Sequence, residues 1–192
     1  PRQVAMYILR ERVKKHLYKG SPYLKPLDIR LINGKLCLPL RVSWLKDKPL
    51  NLIPIDYVSE IIFKIFQSQN SFNKTFYVIN QNPPSVEKVL KYTCAALNIS
   101  TFQIVDSKEF FIKPKTFLER FLLRNVREYL PYLEIPEPRF KDGNTLQIIK
   151  DVIEPPVIDS DFISKLVTYC VQSKWGKEII KYREIETDNV SV

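Results

Sequence analysis

Hydride transfer, phosphate binding and metal chemistry each require particular side chains at particular spacings, and few of those spacings occur in this chain. Its 192 residues include only four glycines, Gly20, Gly34, Gly143 and Gly176, each standing singly. A dinucleotide loop or a P-loop needs clustered glycines so that backbone can approach phosphate closely. These residues can build neither. Ten tyrosines are present, yet none has a lysine four residues on, the pairing in which lysine lowers the tyrosine pKa for proton transfer; Tyr18 is followed by Pro22 and Tyr77 by Gln81. The sole histidine, His16, lies in a basic run with no partner nearby and reads as solvated, so no histidine-based triad is expected. Cys37, Cys94 and Cys170 sit in apolar settings without a C-x-x-C pair, as reduced core thiols of a cytoplasmic protein would, not as a metal site or a disulfide frame. Asp159 and Asp161 cluster at a helix start, where capping and the helix dipole account for them. No catalytic, cofactor-binding or metal-ligating residue is assigned.

The stretch with most local promise is Asn51-Leu52-Ile53-Pro54-Ile55-Asp56-Tyr57-Val58. An apolar run reaches Ile55, Asp56 stands where a helix would begin, and Val58, Ile61, Ile62, Ile65 and Phe66 follow at helical spacing. A strand running directly into a capped helix is a junction that in α/β proteins often faces a cofactor or substrate. It is also ordinary structure, since aspartate is a common N-cap.

The elements that would position this stretch follow from periodicity and turn chemistry. Val4 to Tyr18 predicts a basic amphipathic helix, closed by Gly20-Ser21-Pro22. Ile29–Ile32 and Leu36–Val42 flank Asn33-Gly34, the pairing that best accepts the positive φ angles of a two-residue hairpin. Pro39 then places the second strand at an edge or at a bulge. After a helix over 57–67, Thr75–Ile79 predicts a short strand, Ser85 caps a helix carrying Val86, Val89, Leu90, Cys94 and Leu97, and Phe102–Val105 predicts a further strand. That alternation over residues 50–106 is an α/β signature. From Phe110 the character turns helical: Phe117 to Leu130, then Phe140 to Lys150 with Asn144 as cap, then Asp161 to Val171. Residues 177–192 read as a polar tail.

Composition bounds the rest. Hydrophobic residues at 45% and aromatics at 12% describe a globular chain. No apolar run is long enough for a membrane span, and no signal peptide opens the chain. The net charge of +9 is spread along the sequence with acids interleaved, apart from a denser patch at Arg10 to Lys19. A solvated surface accounts for it, and no nucleic-acid partner is expected. A chain beginning at Pro1 instead of methionine is expected to have been cut from something longer.

Leu50 to Val58 resembles the Asn-hydrophobic-x-Pro-Val-Asp-Tyr-Val segment of extended and atypical short-chain dehydrogenase/reductases, nearest to the thioester-reductase and fatty-acyl-reductase (male-sterility) type. Phe76-Tyr77-Val78-Ile79-Asn80, with Pro83 and Ser85, resembles that family's next strand and helix start. Tyr129-Leu130-Pro131-Tyr132, the Phe140…Asn144-Thr145 spacing, and Pro155-Pro156…Asp159 leading to Tyr169 resemble its C-terminal lobe. The family's glycine loop and Tyr-x-x-x-Lys pair lie upstream of this match and do not occur here. The resemblance therefore implies an α/β fragment: the C-terminal end of a Rossmann-like sheet with an inserted helix and hairpin over 1–106, a mainly helical substrate-binding lobe over 107–176, and a missing N-terminal cofactor half. It implies NAD(P) in the intact protein, not bound by this fragment alone, and a carbonyl or acyl-thioester substrate. Asn51, Pro54, Asp56 and Tyr57 would lie near the junction of the cofactor and substrate clefts, with Asp56 serving as helix cap or ligand contact. A non-catalytic ligand- or partner-binding relative is the alternative. With the cofactor half absent, apolar surface near Val58–Phe66 and Phe76–Ile79 is expected to lie exposed or to be covered by another copy in a homo-oligomer.

Overall fold

A computed structural model describes Tyr7, Arg10, Glu11 and residues 13–15, 29–113, 115–129, 132, 135–138, 140–150 and 153–175. Most of the helix expected over Val4–Tyr18, His16, the Gly20-Ser21-Pro22 break and the 177–192 tail lie outside the described residues. Those described near the N-terminus, Tyr7, Arg10, Glu11 and Val13 to Lys15, are helical, and Val13 is buried.

Strands β1 (Arg30–Ile32) and β2 (Lys35–Val42) form the expected antiparallel hairpin. Asn33 and Gly34 adopt φ of 49° and 75°, the left-handed geometry that a two-residue turn imposes at both centres. β2 is the central strand of a three-stranded sheet in the order β1-β2-β3, and β3 (Ile99–Ile104) runs parallel to it. The β2–β3 register shifts between Cys37 and Leu40, so Pro39 sits at a bulge, where its missing N–H breaks no ladder bond. Alternate residues Leu36, Leu38, Leu40 and Val42 are all buried, the period-two face of a strand packed on one side.

Two of the helices that bury that face start from side-chain caps. α2 (Val86–Ala96) begins at Ser85, whose hydroxyl accepts from the Lys88 N–H as expected, and α6 (Ser160–Gln172) begins at Asp159, whose carboxylate accepts from the Phe162 N–H at 2.8 Å. α2 and α6 pack on one another, and their Cys94, Ile163 and Val167 join Leu36, Leu38, Leu40, Leu97 and Ile99 in the main core. Burial pushes the Cys94 thiol up to about 12 and raises Cys170 as well, which keeps both sulfurs protonated and inert at neutral pH.

Between β3 and α6 lie α3 (Ser107–Ile112), α4 (Phe117–Val126), a 3-10 turn at Arg127–Tyr129 and α5 (Gly143–Ile149). α4 is tied to the sheet by one buried ion pair. Glu119, 1% exposed, accepts from Arg41 Nε at 2.8 Å and Nη2 at 3.0 Å, from the Arg41 backbone N–H at 3.2 Å and from the Thr116 N–H at 2.8 Å. Thr116 returns the contact by accepting from the Glu119 N–H, a capping box. Burial pushes the Glu119 carboxyl upward, but the Arg41 guanidinium and the backbone donors outweigh it and hold the carboxyl below its ordinary range.

A second core lies between α1 (Ile55–Gln67) and α5, where Tyr57, Ile61 and Ile149 meet Ile65, Val78 and Ile148. Here the structure departs from the sequence reading in four places. Leu50 to Pro54 is no strand; its neighbourhood carries a single bridge, Pro49 to Ser85. Thr75–Ile79 is no strand either, because no neighbouring strand completes a ladder among the described residues. The cap of α1 is Pro54, whose fixed φ of −64° suits the entry, so Asp56 lies inside the first turn, exposed, facing the dipole and not capping it. At α5 the N-cap is Asp142, with its carboxylate taken by Gln81, and Asn144 instead donates to the Thr75 carbonyl at 2.9 Å. The alternation expected over residues 50–106 thus reduces to two helices, a 3-10 turn and one strand, β3, which joins the hairpin in a small mixed sheet.

Candidate functional site: a cleft at the strand ends

β2 and β3 run in the same direction, so their carboxyl ends open on one side of the sheet. In open α/β sheets that is where ligands collect, since the diverging loops leave a crevice there. An open cleft of about 1030 Å³ lies at this position. Trp44, Leu45 and the Lys46–Pro49 loop bring the wall that follows β2, and Ile104, Val105 and Asp106 bring the end of β3. Asn51, Ile79, Asn80 and Gln81 supply a second side; Pro136, Glu137, Pro138 and Phe140 supply a third. A little over half of the lining residues are apolar or proline, and the rest are amides and charged side chains, so the cleft offers both apolar contact and polar groups to a small molecule.

The walls are held by specific bonds. Asn80, 3% exposed, donates its N–H to Asn51 Oδ1 at 2.7 Å and its side-chain amide to the Leu52 carbonyl at 3.1 Å. Its Oδ1 accepts from the Asn82 N–H at 2.9 Å, so two stretches lacking any ladder are clasped by one buried amide. The Lys46–Pro49 loop is fixed to the start of α2, with the Val86 and Glu87 N–H groups donating to the Lys48 and Lys46 carbonyls. The Lys48 side chain turns inward, 5% exposed, and donates to the Tyr132 carbonyl, to the Ile135 carbonyl at 2.7 Å and to Glu137 at 3.1 Å. One buried ammonium thereby joins the loop after β2 to the proline-rich wall opposite. Asp106 caps α3 by accepting from the Lys108 N–H at 2.8 Å. Of the three carboxylates at the cleft, Asp106 and Glu137 are thus occupied with structure, while Asp47 stands exposed on the loop after β2.

The four residues singled out from sequence do not gather at one point. Asn51 lines the cleft and is bonded to Asn80. Pro54 caps α1, and Asp56 is exposed on its first turn. Tyr57 is buried against Ile61 and Ile149, and burial, assisted by the charge of Asp142, raises its phenol above the ordinary value. The sequence does not mark Trp44, Lys48, Gln81 or Glu137 as cleft residues, and it offers Asn80 only as the end of a strand motif. They come together from segments far apart in the chain, a placement that no local spacing announces. Among the described residues no cluster of three or more His, Cys, Asp or Glu could hold a metal ion, and no helix is long and apolar enough to cross a membrane.

The chain thus belongs, by architecture, to mixed α/β proteins with an open cleft at the carboxyl ends of parallel strands. No protein-family model matches it, and no curated protein does. Among solved structures it is similar to the terminal R domain from the myxalamid PKS-NRPS biosynthetic pathway, with a TM-score of 0.52 and 18% identity. That likeness covers 71% of this chain and 36% of the other, so the chain corresponds to about a third of the R-domain chain. The shared fold is what the likeness shows.

Proposed function

We propose that this chain is the substrate-binding, C-terminal portion of an NAD(P)-dependent reductase of carbonyl or acyl-thioester substrates. The observation that carries the reading is the cleft at the β2 and β3 ends, in a fold shared with part of an R domain, which we read as a reductase domain. The motif resemblance of Leu50–Val58 points the same way. In this reading the chain contributes shape and apolar contact: Trp44, Ile79, Ile104 and Phe140 pack along the substrate, and the Asn51–Asn80 clasp fixes the wall they stand on. The nicotinamide and the proton-donating tyrosine belong to the missing half, which supplies hydride when its cofactor is bound. Two of the cleft carboxylates, Asp106 and Glu137, are already committed to a helix cap and to Lys48 and are not placed as an acid–base pair. That commitment also suits the second reading, a non-catalytic relative that binds a ligand or partner. Upstream sequence separates the two: an intact glycine loop and Tyr-x-x-x-Lys favour the enzyme, eroded ones the binder.

Incubated alone with NADH or NADPH and a panel of aldehydes, ketones and acyl thioesters, the 192-residue chain is expected to oxidise cofactor no faster than the buffer control. Turnover well above that background would refute the assignment.

A further inference from the structure

α3 and α4 meet at an apolar corner ringed by cations. Two consecutive phenylalanines on α3 have opposite surroundings: Phe110 is buried, while Phe111 and the adjoining Ile112 are 68% and 80% exposed. Phe117, the first residue of α4, is 60% exposed. Lys115 stands between the two helices, its Nζ 5.0 and 4.8 Å from the centroids of the Phe110 and Phe111 rings and its carbonyl accepting from Arg120 at 3.2 Å. Helical spacing gives each helix an outer face. Lys108 precedes Phe111 and Ile112 by three and four residues on α3; Phe117, Arg120 and Arg124 fall at i, i+3 and i+7 on α4, away from the buried Leu118 and Leu122.

The charge around the corner is one-sided. Residues 107–124 hold five cations, Lys108, Lys113, Lys115, Arg120 and Arg124, and two acids. Glu119 is buried against Arg41, Glu109 pairs with Lys113 at 2.7 Å, and Asp106 just before them accepts from the Lys108 N–H. Lys108, Lys115, Arg120 and Arg124 have no carboxylate partner among the described residues. The outer stripe of α1 makes the contrast. Its Ile55, Ile62, Phe63 and Phe66 are between 57% and 85% exposed, yet that helix carries Asp56 and Glu60 against Lys64 and has no cationic excess.

We infer that the corner formed by Phe111, Ile112 and Phe117 docks this chain peripherally on an anionic lipid surface. The three side chains enter the boundary between headgroups and acyl chains, and the cations around them reach the lipid anions while their stems lie along the apolar contact. Two observations favour lipid over other polyanions. Fully covered, the two phenylalanines offer roughly 300–500 Å², short of the about 800 Å² that a stable protein interface takes from each partner. A nucleic acid would gain from the cations but gives Ile112 neither a stacking partner nor an apolar phase. A bilayer supplies that phase and demands no matching shape. The corner needs neither cofactor nor cleft ligand to bind.

Cosedimentation of the 192-residue chain with vesicles is the test. Phosphatidylcholine vesicles carrying about 30% phosphatidylserine are expected to bind it about tenfold or more tightly than phosphatidylcholine alone, and to release it as salt is raised. Ile112→Asp and Arg124→Glu, both at exposed side chains, should each lower that partitioning about tenfold with the urea midpoint of the free chain unchanged. Phe66→Asp, on the α1 stripe, should leave the partitioning as it is. Phe117→Trp should show fluorescence quenching by lipids brominated on the acyl chain, over and above that of the wild type, which marks insertion. Absence of binding to the phosphatidylserine vesicles overturns the inference. So does wild-type partitioning in Ile112→Asp and Arg124→Glu, which would place the lipid contact elsewhere, and so does binding without added quenching in Phe117→Trp. A duplex oligonucleotide bound more tightly than the vesicles, and weakened by Arg124→Glu, would assign the cations to nucleic acid and overturn it too.

Discussion

Glu119→Gln is expected to lower the unfolding free energy by about 3 kcal/mol at pH 7, the lower end of the range for breaking a buried ion pair. The carboxylate is fully enclosed, but Arg41 keeps 17% of its side chain exposed, so the guanidinium left behind is partly hydrated and the loss stays at that end. Glutamine retains the shape and one acceptor for the Thr116 N–H, so α4 remains capped while the charge pairing is lost. A domain of this size has on the order of 5–15 kcal/mol in total, and the change should be plain in a urea midpoint. The pH dependence has a definite sign. The folded Glu119 carboxyl titrates below its unfolded value, so the stability it contributes is complete above about pH 4.3 and is lost as pH falls through the folded value. The wild-type midpoint should therefore fall on acidification from pH 5 more steeply than that of Glu119→Gln. Parallel pH profiles for the two proteins would contradict the role given to this pair.

Asn80→Ala should cost about 2–3 kcal/mol, because it strands the Leu52 carbonyl and the Asn82 N–H, each roughly 1–3 kcal/mol when a buried partner is removed. Asn82→Ala, at an exposed side chain two residues away, is the control and should stay within about 0.5 kcal/mol of wild type. Urea titration of the three proteins makes the comparison. Equal effects at the two positions would mean that the clasp between residues 51–52 and 80–82 does not hold the cleft wall.

Features written in local chemistry were legible from the residues alone. Asn33-Gly34 requires positive φ, Ser85 and Asp159 stand three residues before the N–H groups they accept from, and Pro39 excludes a regular ladder, so these needed no tertiary information. The strands read into Leu50–Ile55 and Thr75–Ile79 failed for a related reason. An apolar β-branched run states what a segment would do beside another strand, and strandedness belongs to the pair. Asp56 was read as a cap because aspartate favours that position, yet a proline two residues earlier had already set the entry φ. Arg41 and Glu119 are 78 residues apart, and Lys48 reaches carbonyls more than 80 residues away, so neither contact leaves a trace in local spacing. The same is true of the cleft, where Asn51 is the one lining residue that the sequence marks as a cleft candidate, although Ile79, Asn80, Pro83 and Phe140 stand in the motifs that carry the resemblance.

The central claim is that the crevice at the ends of β2 and β3 receives the substrate. Heteronuclear NMR of the chain titrated with a medium-length acyl thioester tests it most directly. The account expects saturable shifts at the Trp44 indole, at Ile79 to Gln81 and at Ile104 to Asp106, with the exposed α1 residues Ile62 and Phe66 unmoved. Shifts confined to that α1 stripe, or none up to millimolar ligand, would contradict it.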